Sequence, residues 1–176
     1  MTNNTFAHWA PIYRSLGYWP RPITPGSKAC REKSWTTPDT ELSPEIINKW
    51  DRKKSRYGIG LLMGSQLPDG SVLGALDIDH DAYAALGAAL LRNSPCTRFG
   101  KKGAVHFVRV RGVIRKTKMK VKGEKNSHYG EVAEFLVEKK LCVIPPTIHP
   151  DTGEEYQWTG KPLHEIDFKE LPIIGA

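Results

Sequence analysis

Cysteine is scarce and scattered: Cys30, Cys96 and Cys142 are the only three in 176 residues. An odd number, far apart, they make neither a disulfide framework nor a CxxC metal pair. They suit a reducing, cytoplasmic compartment, and no structural zinc is expected. No apolar run approaches the roughly 18 residues a membrane span needs, so no membrane partner is expected. The opening MTNNTFAHWAPIYR lacks the basic and apolar regions of a secretory signal. Repeats, low-complexity tracts and a recognisable linker are missing too. The expected organisation is therefore one compact α+β domain over residues 1–176. The terminal Ile174-Gly175-Ala176 has no obvious cap, which leaves room for the natural protein to continue. With 39% hydrophobic and 26% charged residues, the composition is that of a globular chain, not a disordered one.

Acid is the minority charge, with 19 Asp and Glu against 26 Lys and Arg, for a net charge of +7. The shortage is local. Eleven of the bases fall between Arg98 and Lys125, against the single acid Glu124. The rest of the chain is slightly acidic. A solvated basic loop explains such a run; so does a surface that meets phosphate backbones and releases their counterions.

Residues 5–17 read as a short helix, with Trp9, Ile12, Tyr13 and Leu16 at helical spacing and Gly17 as its stop. GYWPRPITPGSKAC is too rich in proline for helix and reads as a strand and turn. Ser43 is a candidate N-cap, with Pro44 at the first position of a second helix. YGIGLLMGS and Val72 to Ile78 read as two strands joined in a hairpin across LPDGS. Asp81 to Leu91 is a helix rich in Ala and Leu. Residues 104–113 alternate as a strand, and 115–129 are a basic ribbon or loop. Val132 to Val137 and Leu141 to Ile144 are strands, read as a hairpin at Lys139-Lys140. EYQW is a last strand, and the segment from Leu163 onward is loop.

The strongest chemical feature is Leu76-Asp77-Ile78-Asp79-His80 at the end of an apolar strand. Residues i and i+2 of a strand share a face. Asp77 and Asp79 therefore stand together and repel unless a cation lies between them. Hard oxygen ligands suit Mg²⁺ or Mn²⁺. The competing reading is a helix N-cap. His106, in KKGAVHFVRV, is either a structural strand histidine or an anion contact after the basic lead-in Lys101-Lys102-Gly103. Glu134 is the one charge within VAEFLV. It is either an edge-strand residue or a third carboxylate.

In order, GYWPRPITPGSKAC, Trp50, YGIGLLMG, VLGALDID, KKGAVHFVRV and VAEFLVEKKLCVIPPTIHPDTGEEYQW resemble the bifunctional primase–polymerase domain of the archaeo-eukaryotic primase superfamily. The resemblance spans about residues 11–172. Its most specific part is Pro145, Pro146, Thr147, His149, Pro150, Gly153, Tyr156 and Trp158. It implies an RRM-like antiparallel sheet with flanking helices and a small N-terminal α/β unit. It implies Asp77, Asp79 and Glu134 as ligands of two Mg²⁺ or Mn²⁺ ions. His106 would contact the nucleotide phosphates, although Lys102 and Ala104 replace a Ser and a Gly of the usual motif. The usual arginine after the histidine strand falls on Arg109. Lys101, Lys102, Lys28, Thr147 and His149 complete the implied nucleotide pocket. Arg111, Arg115, Lys116, Lys118, Lys120 and Lys122 would grip DNA.

The implied activity is template-directed nucleotidyl transfer by a DNA primase or polymerase, during replication of a mobile element, phage or plasmid. The partners would be a single-stranded template or primer-template, NTP or dNTP, and a helicase domain or other replisome protein. Two rival readings are a metal-dependent nuclease and a catalytically silent nucleic-acid-binding module, of the replication or CRISPR-accessory kind.

Overall fold

The computed structural model describes residues 5–91, 94–114, 118–120 and 131–175. Among these residues three α-helices and three short 3₁₀ turns accompany ten strands: α1 (Thr5–Ser15), α2 (Pro44–Lys53) and α3 (Asp81–Leu90); β1 (Trp19–Ile23), β2 (Gly58–Leu62), β3 (Val72–Ile78), β4 (Cys96–Phe99), β5 (Ala104–Arg111), β6 (Lys118–Lys120), β7 (Glu131–Leu136), β8 (Leu141–Ile144), β9 (Gln157–Gly160) and β10 (Ile173–Gly175). The α+β class is as expected, with antiparallel pairing dominant.

A small antiparallel sheet has the order β1-β2-β8, and a larger one the order β6-β7-β3-β5-β4-β9. The far edge of β5 is shared, because β4 pairs with its start and β10 runs parallel to its end. β3 is central and reads as a nearly continuous apolar run because both its faces are covered. On one face Leu73, Ala75, Val105, Phe107 and Leu136 pack towards the small sheet and α1, which supply Ile59, Leu61, Ile144, Phe6 and Tyr13. On the other, Leu76, Ile78, Val108 and Val110 form a separate cluster with Leu91, beyond the end of α3. Gly87 lets the helix approach closely: a Cβ there would stand 2.9 Å from Ile78 Cγ1.

The two expected hairpins do not form. β2 pairs with β1 and β8, whereas β3 pairs with β5 and β7. The link between β2 and β3 keeps hairpin-like bonds, such as Gly64 N–H to the Leu73 carbonyl at 2.9 Å. The strands themselves diverge into different sheets. β7 and β8 part in the same way across Lys139, at φ +60°. β4 and β10 escaped the sequence reading because three or four residues show no periodicity. The buried Arg21 fixes the loop after β1 by donating to the carbonyls of Trp35, at 2.6 Å, and Thr37 and by pairing with Asp39. Divergence of the sheets beyond the shared core opens a cleft at one end of β3.

Candidate active site

Register decides which side chains meet in that cleft. Asp77 lies directly across from Glu134 on β7 and from Val105 on β5. Side chains opposite each other share a face, so Asp77 and Glu134 stand together. Asp79, two residues on, follows them, and its N–H continues the ladder to the Val132 carbonyl at 3.0 Å. All three carboxylates line a cleft of about 620 Å³. Burial pushes the Asp77 carboxyl up to about 6; Arg98 opposes that rise, and Asp79 and Glu134 add to it. Glu134 is ion-paired with Lys140 at 2.8 Å.

Cations face the acids. Arg98 of β4 pairs in register with Val105, the residue opposite Asp77, and so lies on the carboxylate face. Its guanidinium sits 4.7 Å from the centre of the Tyr156 ring, with Nε buried and unbonded. Lys28, Lys101 and Lys102 line the same cleft. Asp151 pairs with Lys28 at 3.7 Å and Lys101 at 3.6 Å. The Lys101-Lys102 loop is tied down at Gly103, whose N–H donates to Asp81 Oδ1 at 2.6 Å. Gly103 is at φ +62°, and a Cβ there would fall 1.7 Å from the Ile78 carbonyl oxygen. His149 also lines the cleft.

Four expected site residues lie elsewhere. His106 is across from Leu76, one position out of step with Asp77, so its ring points through the opposite face of the sheet. There its Nδ1 is 3.2 Å from Thr97 Oγ1, and its Nε2 is buried and unbonded beside Gly87 of α3. His106 therefore does not line the cleft that holds the three carboxylates. Arg109 is four residues beyond Val105, about 13 Å along the strand. It pairs with Asp69 at 2.7 Å and donates to the Leu171 carbonyl at 3.1 Å, so it holds the C-terminal segment. Arg111 lies at the same far end, 3.5 Å from Asp69. The Thr147 hydroxyl is buried against β2, where it accepts from Ile59 N–H at 2.6 Å and donates to the Ile59 carbonyl at 2.8 Å. It joins the small sheet to the Pro-Pro segment.

Lys118 and Lys120 lie on edge strand β6, with Lys118 in register with Glu134. Arg115, Lys116 and Lys122 lie outside the described residues. Sequence reasoning missed Arg98, Lys140 and Asp151 as cleft residues, and Tyr156 stood out only as part of a motif. The one available signal for Arg98 was its place in the basic stretch, because four-residue β4 is invisible to periodicity.

Among the described residues, no three His, Cys, Asp or Glu side chains converge as a ready-made metal cluster. The donor chemistry nevertheless suits a hard divalent cation. The trio supplies only oxygen ligands, and burial raises the Asp77 carboxyl to about 6, a penalty that a bound cation would offset by favouring the ionised form. The site is an open acidic face, not a closed cage.

Carboxylates on a sheet face, rimmed by Arg98 and four lysines, bring acids and cations together in one cleft on an α+β frame. The family model for the bifunctional DNA primase/polymerase N-terminal domain matches residues 10–173, and the chain belongs to that family. The family is one of DNA primase/polymerases, nucleotidyltransferase-type enzymes whose substrates are DNA and nucleotides. None of the curated proteins compared with the chain matches it. Among the described residues, no helix is long and apolar enough to cross a membrane.

Proposed function

We propose that the cleft around Asp77, Asp79 and Glu134 carries out template-directed nucleotidyl transfer, as a primase, a polymerase or both. The observation that carries this reading is the placement of Asp77 opposite Glu134, in a cleft that Arg98 and four lysines also line. Asp77, Asp79 and Glu134 would hold two Mg²⁺ or Mn²⁺ ions. When bound, such ions acidify the attacking 3′-hydroxyl and offset charge on the leaving pyrophosphate. The chain's own contribution is positioning and charge compensation. Arg98, Lys28, Lys101 and Lys102 receive the triphosphate. Tyr156 and Asp151 keep three of those cations in place through the ring contact and the ion pairs described above. Lys118 and Lys120, continued in sequence by Arg115, Lys116 and Lys122, grip template or primer phosphates without reading sequence. The setting we propose is replication of a phage, plasmid or other mobile element, alongside a helicase or replisome partner.

Two tests follow from the cleft. Arg98→Ala is expected to weaken equilibrium binding of a dNTP by roughly tenfold to a hundredfold, the loss of one charge-assisted contact. Unchanged affinity in calorimetry would remove Arg98 from the nucleotide pocket. Asp81→Ala frees the Gly103 N–H and with it the lysine loop. It is expected to raise the nucleotide KM about tenfold and to affect kcat far less. Asp81→Asn keeps an acceptor oxygen and should retain most of the affinity. Equal KM values in Asp81→Ala and wild type would show that the loop needs no such tie.

A further inference from the structure

Among the described residues that line the cleft, the one histidine is His149, not the His106 that the motif order picks out. His149 follows the Pro145-Pro146 segment and is nearly buried, at 3% exposure. Its backbone is fixed on both sides: its N–H donates to the Glu154 carbonyl at 2.7 Å, and its carbonyl accepts from Gly153 N–H at 2.9 Å. The ring packs 5.1 Å from that of Tyr156, the same ring that carries Arg98. Its Nδ1 accepts the Asp151 backbone N–H at 3.1 Å.

That last bond selects the tautomer. An imidazole nitrogen that accepts a hydrogen bond carries no proton, so the hydrogen of the neutral ring sits on Nε2. Burial holds the His149 pKa below the ordinary histidine value, helped by Lys28, Lys101 and Arg98 and opposed by Asp151. The ring is therefore neutral at pH 7, with one hydrogen to give. With Nδ1 turned to the backbone, Nε2 is the ring's remaining polar edge, in a cleft whose cations are Lys28, Arg98, Lys101, Lys102 and Lys140.

We propose that His149 Nε2–H donates a hydrogen bond to a phosphate oxygen of the incoming nucleotide. This rests on the nucleotidyl-transfer reading. It assigns His149 two separable tasks: Nδ1 shapes the turn at 149–153, and Nε2 binds substrate. Asparagine places its carbonyl oxygen where Nδ1 is and has nothing at Nε2. Glutamine places an amide nitrogen near Nε2 and gives up the turn acceptor.

His149→Asn should therefore melt close to wild type yet bind dATP about tenfold more weakly, with KM raised and kcat little changed. His149→Gln should keep most of the affinity and lose some thermal stability. Wild-type dATP affinity in His149→Asn overturns the proposal, and so does an equal loss in both variants that tracks their loss of stability. Should neither variant fold, ¹⁵N imidazole spectra of the wild-type protein decide. A protonated Nε2 of His149 whose resonance moves on adding dATP is expected; an unprotonated or unmoved Nε2 is contrary. Asp77→Asn separates the two levels. If it retains nucleotide incorporation, the functional reading fails; if it is inactive while His149→Asn binds normally, only the role of His149 fails.

Discussion

Asp77→Asn is expected to cost at least about 10³ in nucleotide incorporation while making the protein more stable, a pairing that few substitutions share. The loss follows from removing the central carboxylate of the acidic face. The gain follows from linkage. The Asp77 carboxyl is raised from 3.8 to about 6, mainly by burial. The folded protein thus holds this proton more tightly than the unfolded chain does. Stability is lost as pH rises from about 4 to about 6, and above that the whole penalty is present, on the order of 2–3 kcal/mol. Asparagine has the same shape without the charge, so the penalty disappears. Thermal unfolding without divalent cations should show Asp77→Asn melting roughly 4–10 °C above wild type at pH 8 and level with it at pH 4. Equal melting temperatures at pH 8 would mean that Asp77 is not strained in the folded protein.

Gly103→Ala is expected to damage fold and site together. The residue is at φ +62°, where an L side chain costs about 1–2 kcal/mol, and its Cβ would fall 1.7 Å from the Ile78 carbonyl oxygen. That oxygen is backbone at the end of β3 and does not swing aside like a flexible side chain. The loop must back away, which breaks the Gly103–Asp81 bond and carries Lys101 and Lys102 away from Asp79. We expect a fall of about 100-fold or more in kcat/KM and a clearly lower melting temperature. Gly153→Ala is the control. It has a similar φ of +75° but open space around the Cβ position, so only about 1 kcal/mol of backbone strain should appear. Equal effects of the two substitutions would refute the close approach at Gly103.

Much of this cleft was legible in the chain, and the misses share one cause. Asp77 and Asp79 could be placed on one face from strand periodicity alone, because a seven-residue strand with a clean apolar run states its own phase. Glu134 stood out as the one charge in VAEFLV, and the family resemblance singled it out as the third acid. Periodicity says which residues of one strand share a face; it does not say how two strands are in register. His106 and Asp77 each stand among apolar neighbours on their strands, and only the pairing of Asp77 with Val105 reveals that they face opposite ways. The misread hairpins are the same fault at larger scale. Adjacent strands with a turn between them look paired, and the choice of partner depends on long-range packing absent from the local pattern. The partners of Arg109, Asp69 and the Leu171 carbonyl, are 40 and 62 residues away, so no local pattern announces them. The same blindness to register hid Arg98, a strong cation on a strand too short to announce itself.

The central claim is that this cleft joins nucleotides on a template. Its most direct test is to incubate the protein with a single-stranded DNA template, with and without an annealed primer, labelled NTP or dNTP, and either Mg²⁺ or Mn²⁺. The account predicts labelled products that require both template and divalent cation, match the template in composition, and vanish with Asp77→Asn. Degradation of the DNA in the absence of nucleotides, or incorporation that survives Asp77→Asn, would contradict it.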